Sequence, residues 1–362
     1  MRICFLAGTL GQGGAEQQLY YMVRALQQAG TPVRVLCLTR GEFWEPRIQS
    51  LGVPVTWVGR SRSRVARLGA VISDLRRTPA DILQSQHFYA SPYAVVAARV
   101  VGIREIGAIR CDAFTESRDN GAVMGRFSLR APRIIAANSE AGIQNAIASG
   151  VRPSRLYLLP NVVDTERYTV SPPRTAGPVT LLSIGRLSEQ KRVDRFLTLL
   201  QILKDKHSRA VRGLVVGDGP QRAELEARAR TLGLSPGTVE FRGIVPSTES
   251  IYHEADILLL TSDYEGTPNV VLEAMASGLP VVANRVGDVP SLISDHATGY
   301  LVDAGDDSRA LEALLRLIDD RSLRRRIGQN ARHHVEEHFS VQNLSRVLGG
   351  LYATVLGPSY GH

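Results

Sequence analysis

Lysine is nearly absent from this chain: only three of its 43 basic residues are lysine, and the rest are arginine. Cysteine is scarce as well. Cys4, Cys37 and Cys111 are odd in number and lack metal-ligand spacing. That excludes a disulfide framework or a cysteine-based metal module and points to a reducing, cytoplasmic setting. Long apolar runs are missing too, and nothing approaches the roughly 20 residues a membrane-spanning helix needs. The apolar run at Met1–Gly8 is too short for a signal peptide and reads as a first β-strand. No repeat of 20–50 residues breaks the pattern, which excludes a solenoid or propeller.

What is present is the material for two cores. The 362 residues exceed one ordinary core and suit two domains of about 170 residues each. A hydrophobic fraction of 44% and a mean hydropathy of −0.06 describe a soluble globular protein. Charge is unevenly placed. Residues 1–176 hold 22 arginines against 12 acidic residues, a net of +10, whereas the remainder is at −2. An arginine-rich coding bias explains the missing lysines but not this asymmetry, which suits an acidic partner of the N-terminal half.

Strand and helix patterns alternate along the whole chain, predicting an α/β protein with parallel sheets covered on both faces. In the first half, strands read at Arg2–Ala7, Val33–Leu38, Val53–Val58, Asp81–Gln86, Glu105–Arg110, Arg133–Ala137 and Leu156–Leu159. Helices fall between them at Ala15–Ala29, Val65–Arg77 and Ser91–Val101. The stretch Thr169–Pro178 has three prolines and no periodicity, so a linker is placed at 171–178. It separates an N-terminal domain, 1–170, from a C-terminal one, 179–338. The second alternation has strands at Val179–Ile184, Gly213–Val216, Thr238–Phe241, Ile257–Leu260 and Pro280–Ala283, and is almost wholly helical from Ser308 onward.

The segment 265–273 reads Glu-Gly-Thr-Pro-Asn-Val-Val-Leu-Glu. Thr267 suits an N-cap, Pro268 the first helical position, and Gly278 the stop. The N–H groups of Gly266, Thr267, Asn269 and Val270 and the positive end of the helix dipole then lie between two carboxylates, which makes a phosphate site. Glu265 and Glu273 would repel a phosphate, so their partners are hydroxyls: a ribose on one side and a hexose on the other. Elsewhere, the Gly8–Gly14 loop opens a helix after the first strand, and Gly13 and Gly14 allow close backbone approach to a ligand. Glu16 stands where a dinucleotide fingerprint needs its third glycine, and no acidic residue ends the second strand, which argues against a dehydrogenase. Arg186 and Lys191 follow a strand and can neutralise a diphosphate. Gly217-Asp218-Gly219-Pro220 ends another strand, either as a ligand loop or as a plain turn.

Glu265 and Glu273 resemble the Glu-x7-Glu motif of retaining glycosyltransferases of the GT-B fold, most closely family 4. Gly13-Gly14-Ala15-Glu16, Pro160-Asn161-Val162-Val163-Asp164, Gly185–Lys191 and Gly217–Pro220 extend the resemblance over nearly the whole chain, in the family's order. Val162 departs from the usual Asn-Gly in its turn.

The resemblance implies two Rossmann-like doubly wound parallel-sheet domains facing across a cleft. It also implies that the last segment, 339–362, carries a helix crossing back to the N-terminal domain. Its further implication is transfer of a hexose or N-acetylhexosamine from a nucleotide diphosphate sugar, UDP-sugar favoured over GDP-sugar, with retention and without a separate cofactor. Glu273 would meet the ribose, residues 266–270 with Arg186 and Lys191 the diphosphate, Glu265 the sugar, and Val245 the base. Metal independence is expected, since no Asp-x-Asp occurs. The family often places a histidine after the fifth N-domain strand; here that position reads Ile109-Arg110-Cys111-Asp112, leaving Asp112 or His87 as catalytic candidates.

The resemblance also implies an acceptor bound by the N-terminal domain, whether a glycan, a lipid-linked glycan or a small molecule. Arg60, Arg62, Arg64 and Arg67 lie before or within a helix whose apolar stripe is Val65, Leu68, Val71, Ile72 and Leu75. They are either a solvated basic end or a contact with an anionic membrane, which would place the protein peripherally on the inner face of the cytoplasmic membrane. Nucleic acid ranks lower for want of a binding motif. Two rival readings are a GT-B nucleotide-sugar epimerase and a non-catalytic nucleotide-sugar-binding subunit.

Overall fold

In the computed structural model, which describes residues 1–110, 118, 120–170, 177–234 and 236–357, strand β1 (Ile3–Ala7) is buried along its whole length. Its pleat alternates the two faces of a sheet. Ile3, Phe5 and Ala7 pack with Leu19 and Met22 of helix Gly14–Gln28 and with Leu348, Leu351 and Tyr352 of helix Leu344–Leu356. Cys4 and Leu6 point the other way, into Val71, Leu75, Ala94 and Ala97 of helices Arg64–Arg77 and Ser91–Val101. A strand buried on both faces reads as a continuous apolar run, which is how β1 appears in the sequence. Burial pushes the Cys4 thiol up to about 12, so it behaves as an inert apolar residue.

The remaining strands of this sheet are β2 (Val33–Cys37), β3 (Val55–Trp57), β4 (Ile82–Ser85), β5 (Arg104–Ile109), β6 (Ile134–Ala137) and β7 (Leu156–Leu158). All seven are parallel, in the order β3-β2-β1-β4-β5-β6-β7. The terminal helix is tied in by the Tyr352 hydroxyl, which donates to Gln84 Oε1 at 2.9 Å inside the core.

The second sheet comprises β8 (Val179–Ile184), β9 (Val211–Val216), β10 (Val239–Gly243), β11 (Ile257–Leu260), β12 (Val281–Asn284) and β13 (Gly299–Val302). Its order is β10-β9-β8-β11-β12-β13, again all parallel. Leu181, Val215, Leu259 and Val282 face helices Val193–Asp205 and Asp307–Asp319, while Leu182, Leu214, Leu258 and Ala283 face helix Asn269–Ala276 and Ala331 and Val335. β13 is an addition to the strands expected from sequence. It is four residues long, and Gly299 is dictated by a neighbour: a Cβ there would sit 2.6 Å from the Val281 carbonyl oxygen.

The chain divides into two compact units, Met1–Val162 with Val341–His362, and Val163–Ser340. The division therefore precedes the expected boundary at 170. Residues Val163 and Tyr168 belong to the second core, where the Tyr168 ring stands edge-on to Tyr252 at 5.7 Å. Of the expected linker, residues 171–176 lie outside the described residues. One helix also differs from its sequence reading. Val65 is not part of the apolar stripe of helix Arg64–Arg77; it is 79% exposed beside the exposed Arg62 and Arg64, while Val71 and Leu75 are buried.

Candidate active site

Parallel strands bring every strand's carboxyl end to one edge of its sheet. In an open α/β sheet the ligand crevice opens at that edge where the strand order reverses. In the second unit the reversal lies between β8 and β11. The loop after β8 carries Gly185, Arg186 and Lys191; the loop after β11 carries Glu265.

These loops are bound to each other by backbone anchors. Thr261 Oγ1 donates to the carbonyls of Lys191 and Arg192 at 3.0 and 2.9 Å. Gln190 Nε2 donates to the Tyr264 carbonyl at 2.7 Å, and the Asp263 N–H returns a bond to the Gln190 carbonyl at 2.9 Å. Arg192, left-handed at φ 48°, clamps Asp194 and Asp263. The consequence is an ion pair between residues 74 apart in sequence: Lys191 Nζ to Glu265 Oε1 at 2.6 Å. Glu265 is 8% exposed. Arg186 is exposed, and its guanidinium has no side-chain partner among the described residues.

The Glu265 loop is backed by Gly287, at φ 52°, where a Cβ would fall 2.2 Å from the Glu265 carbonyl oxygen. Helix Asn269–Ala276 follows, with Pro268 as its N-cap in extended conformation. This corrects the sequence assignment of Thr267 as cap and Pro268 as first helical residue. The Thr267 hydroxyl instead faces Asp288 Oδ2 at 3.4 Å. One turn into the helix, Glu273 is buried and its Oε2 accepts from the Tyr252 hydroxyl at 2.7 Å. Burial, then the Glu273 charge, pushes the Tyr252 phenol well above its ordinary range, so it stays a donor.

The Gly217–Pro220 loop has a structural explanation of its own. A Cβ on Gly217 would lie 1.9 Å from the Gly185 carbonyl oxygen, and one on Gly219 2.3 Å from that of Leu187. Both glycines let the loop after β9 cross the Arg186 loop closely, and Leu187 N–H bonds the Asp218 carbonyl at 2.9 Å. Val245, half-buried, follows β10 at the same edge.

In the first unit the reversal lies between β1 and β4. Gly13 is the N-cap of helix Gly14–Gln28, and a Cβ on it would meet Glu16 Oε2 at 2.2 Å. His87 Nδ1 accepts from the Gly8 N–H at 3.1 Å, which assigns the neutral ring's proton to Nε2, 3.1 Å from Glu16 Oε1. Both ring nitrogens thus have partners within the unit. Tyr89 stacks on His87 at 5.3 Å, and burial, then Glu16, pushes its hydroxyl up to about 12. Glu42 accepts from the Thr9 and Thr39 hydroxyls at 2.8 and 2.6 Å and from the Leu10 N–H. These bonds outweigh its burial and hold its carboxyl below the usual value. Asp112 lies outside the described residues.

Two family matches tile this architecture. Residues 12–167 match Glycosyltransferase Family 4, and residues 164–334 match Glycosyl transferases group 1.

The chain belongs to the family 4 glycosyltransferases.

Its relatives include the 2-deoxystreptamine glucosyltransferase of Streptomyces kanamyceticus, 27% identical over 94% of this chain and 98% of that protein. The lipopolysaccharide core biosynthesis glycosyltransferase LpsD of Rhizobium meliloti is 26% identical over 91% and 92%. Among solved structures, the Anabaena protein HepE in complex with UDP-glucose superposes with a TM-score of 0.86 at 21% identity, over 98% of this chain and 100% of that one. The fold of this glycosyltransferase is accordingly GT-B, with Rossmann-like sheets of seven and six parallel strands. Tyr252, Thr261 and Gly287 shape its candidate site without having drawn notice in the sequence; their signal is tertiary contact alone. Among the described residues, no helix is long and apolar enough to cross a membrane.

Proposed function

We propose that this glycosyltransferase moves a hexose or N-acetylhexosamine from a nucleotide diphosphate sugar to an acceptor hydroxyl, with retention and without a metal. The observation that carries the reading is the conjunction of the Lys191–Glu265 ion pair with the buried Glu273 at the strand-order reversal of the second unit. Glu273 binds the ribose hydroxyls. Arg186, Lys191 and the start of helix Asn269–Ala276 receive the diphosphate, and Glu265 orients the sugar. In the reaction the bond from sugar C1 to the phosphate oxygen breaks, a bond from C1 to the acceptor oxygen forms, and the acceptor proton leaves with the diphosphate. Fixed positive charge at the leaving group is the main lever on the barrier. Glu265 is neutralised by Lys191, a poor arrangement for a nucleophile, which favours same-face attack assisted by the leaving phosphate. The UDP and UDP-glucose complexes of the HepE neighbour favour a UDP-sugar here.

The acceptor, a glycan, lipid-linked or small molecule, binds the first unit, with the Gly13-Gly14 loop, His87 and Asp112 as candidate contacts. LpsD, a lipopolysaccharide core enzyme by name, makes a saccharide acceptor the leading choice. The exposed Arg60, Arg62, Arg64 and Val65 add a contact for an anionic membrane. A thermal-shift screen against UDP-, GDP- and ADP-sugars tests the donor assignment. Stabilisation by one nucleotide class is expected, and none by any would refute it.

A further inference from the structure

Glu273 is 5% exposed, and a carboxylate has four lone-pair directions and no proton of its own to give. Its orientation depends on donors. One is Tyr252, wholly buried on the short helix Glu249–Glu254, whose hydroxyl reaches Glu273 Oε2 at 2.7 Å across 21 residues of sequence. The phenol itself has little freedom: its ring meets Tyr168 edge-on at 5.7 Å, and the Tyr168 hydroxyl is in turn 2.9 Å from Thr248 Oγ1. Phenylalanine would fill the Tyr252 site equally well by shape, so the hydroxyl is the chemically distinctive part.

We infer that Tyr252 is a positioning residue: its hydroxyl fixes the Glu273 carboxylate in the orientation that receives the ribose of the nucleotide donor. The inference rests on the reading of Glu273 as the ribose contact. It goes beyond that reading by making ribose recognition a property of a buried Tyr–Glu pair. A Glu side chain has several rotamers, and one held by a charge-assisted bond loses less freedom when a ligand docks.

Calorimetric titration of the full chain with UDP, GDP and ADP identifies the tightest binder, which is then compared with its 2′-deoxy and 3′-deoxy forms. The wild type should lose at least about tenfold in affinity on removal of a ribose hydroxyl. Tyr252→Phe should bind the ribonucleotide about tenfold more weakly while binding the deoxy form as the wild type does, so the ratio collapses toward one. Tyr168→Phe, which deletes a hydroxyl from the adjoining buried ring, should leave the ratio intact. An unchanged ratio in a folded Tyr252→Phe overturns the inference and leaves the Glu273 reading standing. A wild type that ignores the ribose hydroxyls, or binds none of the nucleotides, defeats the Glu273 reading itself. If Tyr252→Phe does not fold, Glu273→Gln is compared with Glu273→Gln/Tyr252→Phe, where no buried charge is left unpaired. A hydroxyl that acts only through the carboxylate adds no further change, and an additive loss refutes it.

Discussion

Lys191→Ala should separate catalysis from stability in one residue. Lys191 Nζ lies 2.6 Å from Glu265 Oε1, and the carboxylate is 8% exposed, so the substitution removes the proposed leaving-group cation and strands a buried negative charge. Breaking a fully buried pair costs about 3–5 kcal/mol. The lysine side chain is 21% exposed here, and water entering its place lowers the figure to about 1–3 kcal/mol. Loss of one fixed donor at a developing charge slows turnover about 10²–10³-fold. Adding Glu265→Gln to Lys191→Ala should restore most of the melting temperature, because no buried charge remains, but none of the rate. The assay is initial-rate release of the nucleoside diphosphate alongside thermal melts of the wild type, both single variants and the double variant. Full turnover in Lys191→Ala refutes the placement of the diphosphate. Rates that recover in step with stability would show that the pair only holds the fold.

Activity should survive EDTA, because Arg186, Lys191 and the helix terminus supply the positive potential; loss on chelation with recovery in Mg²⁺ or Mn²⁺ would overturn this. Glu42, held below its ordinary 4.5 by its Thr39, Leu10 and Thr9 partners, contributes stability that is present above that value and lost as pH falls through the lower folded one. Glu42→Gln should therefore flatten the acid limb of the stability profile, measured by thermal melts from about pH 5 to pH 3. Leu351→Ala, at a fully buried site, should cost about 2–5 kcal/mol in denaturant unfolding, and a loss below about 1 kcal/mol would mean the terminal helix adds little to the first core. Joint replacement of Arg60, Arg62, Arg64 and Arg67 by Gln should lower binding to anionic vesicles well over tenfold, in a salt-sensitive manner. Equal, negligible sedimentation with neutral and anionic vesicles would remove the membrane from the proposal.

The two sheets were legible because parallel strands buried on both faces leave unbroken apolar runs. All seven strands of the first sheet and five of the six in the second were expected. β1 and β11, buried at every residue, carry that signature, whereas β3, β7 and β10 are only partly buried and rested on the strand–helix alternation. β13 escaped because Gly-Tyr-Leu-Val is short and opens on a glycine, which in isolation reads as a turn. The missing cue was the Val281 carbonyl, 18 residues upstream, pressing on Gly299. The helix start at 268 failed for a related reason. Local rules assign Thr-Pro to cap and first turn, but the Thr267 hydroxyl is drawn toward Asp288, a partner no local window contains. The domain boundary shifted for the same cause, since Tyr168 follows the last strand of the first half and reads as part of that domain until Tyr252 is found against its ring.

The candidate site divides along this line as well. Residue types and their order were readable: two carboxylates flanking a helix start, two cations after a strand, glycines at loop crossings. What the sequence could not supply was pairing. Lys191 and Glu265 looked like independent contacts, one for phosphate and one for sugar, yet they form a single ion pair, so a donor bound as proposed must compete with Glu265 for the lysine. Gly217 read as either a ligand loop or a plain turn, and the Gly185 carbonyl, which forbids a side chain there, accounts for the glycine by itself. His87 was one of two catalytic candidates, and the structure shows Gly8 and Glu16 at its two nitrogens. A histidine so held serves first to brace the Gly8–Gly14 loop. Proton transfer by it would require the loop to give up one of those bonds, which makes bracing the lower-cost role in the first unit.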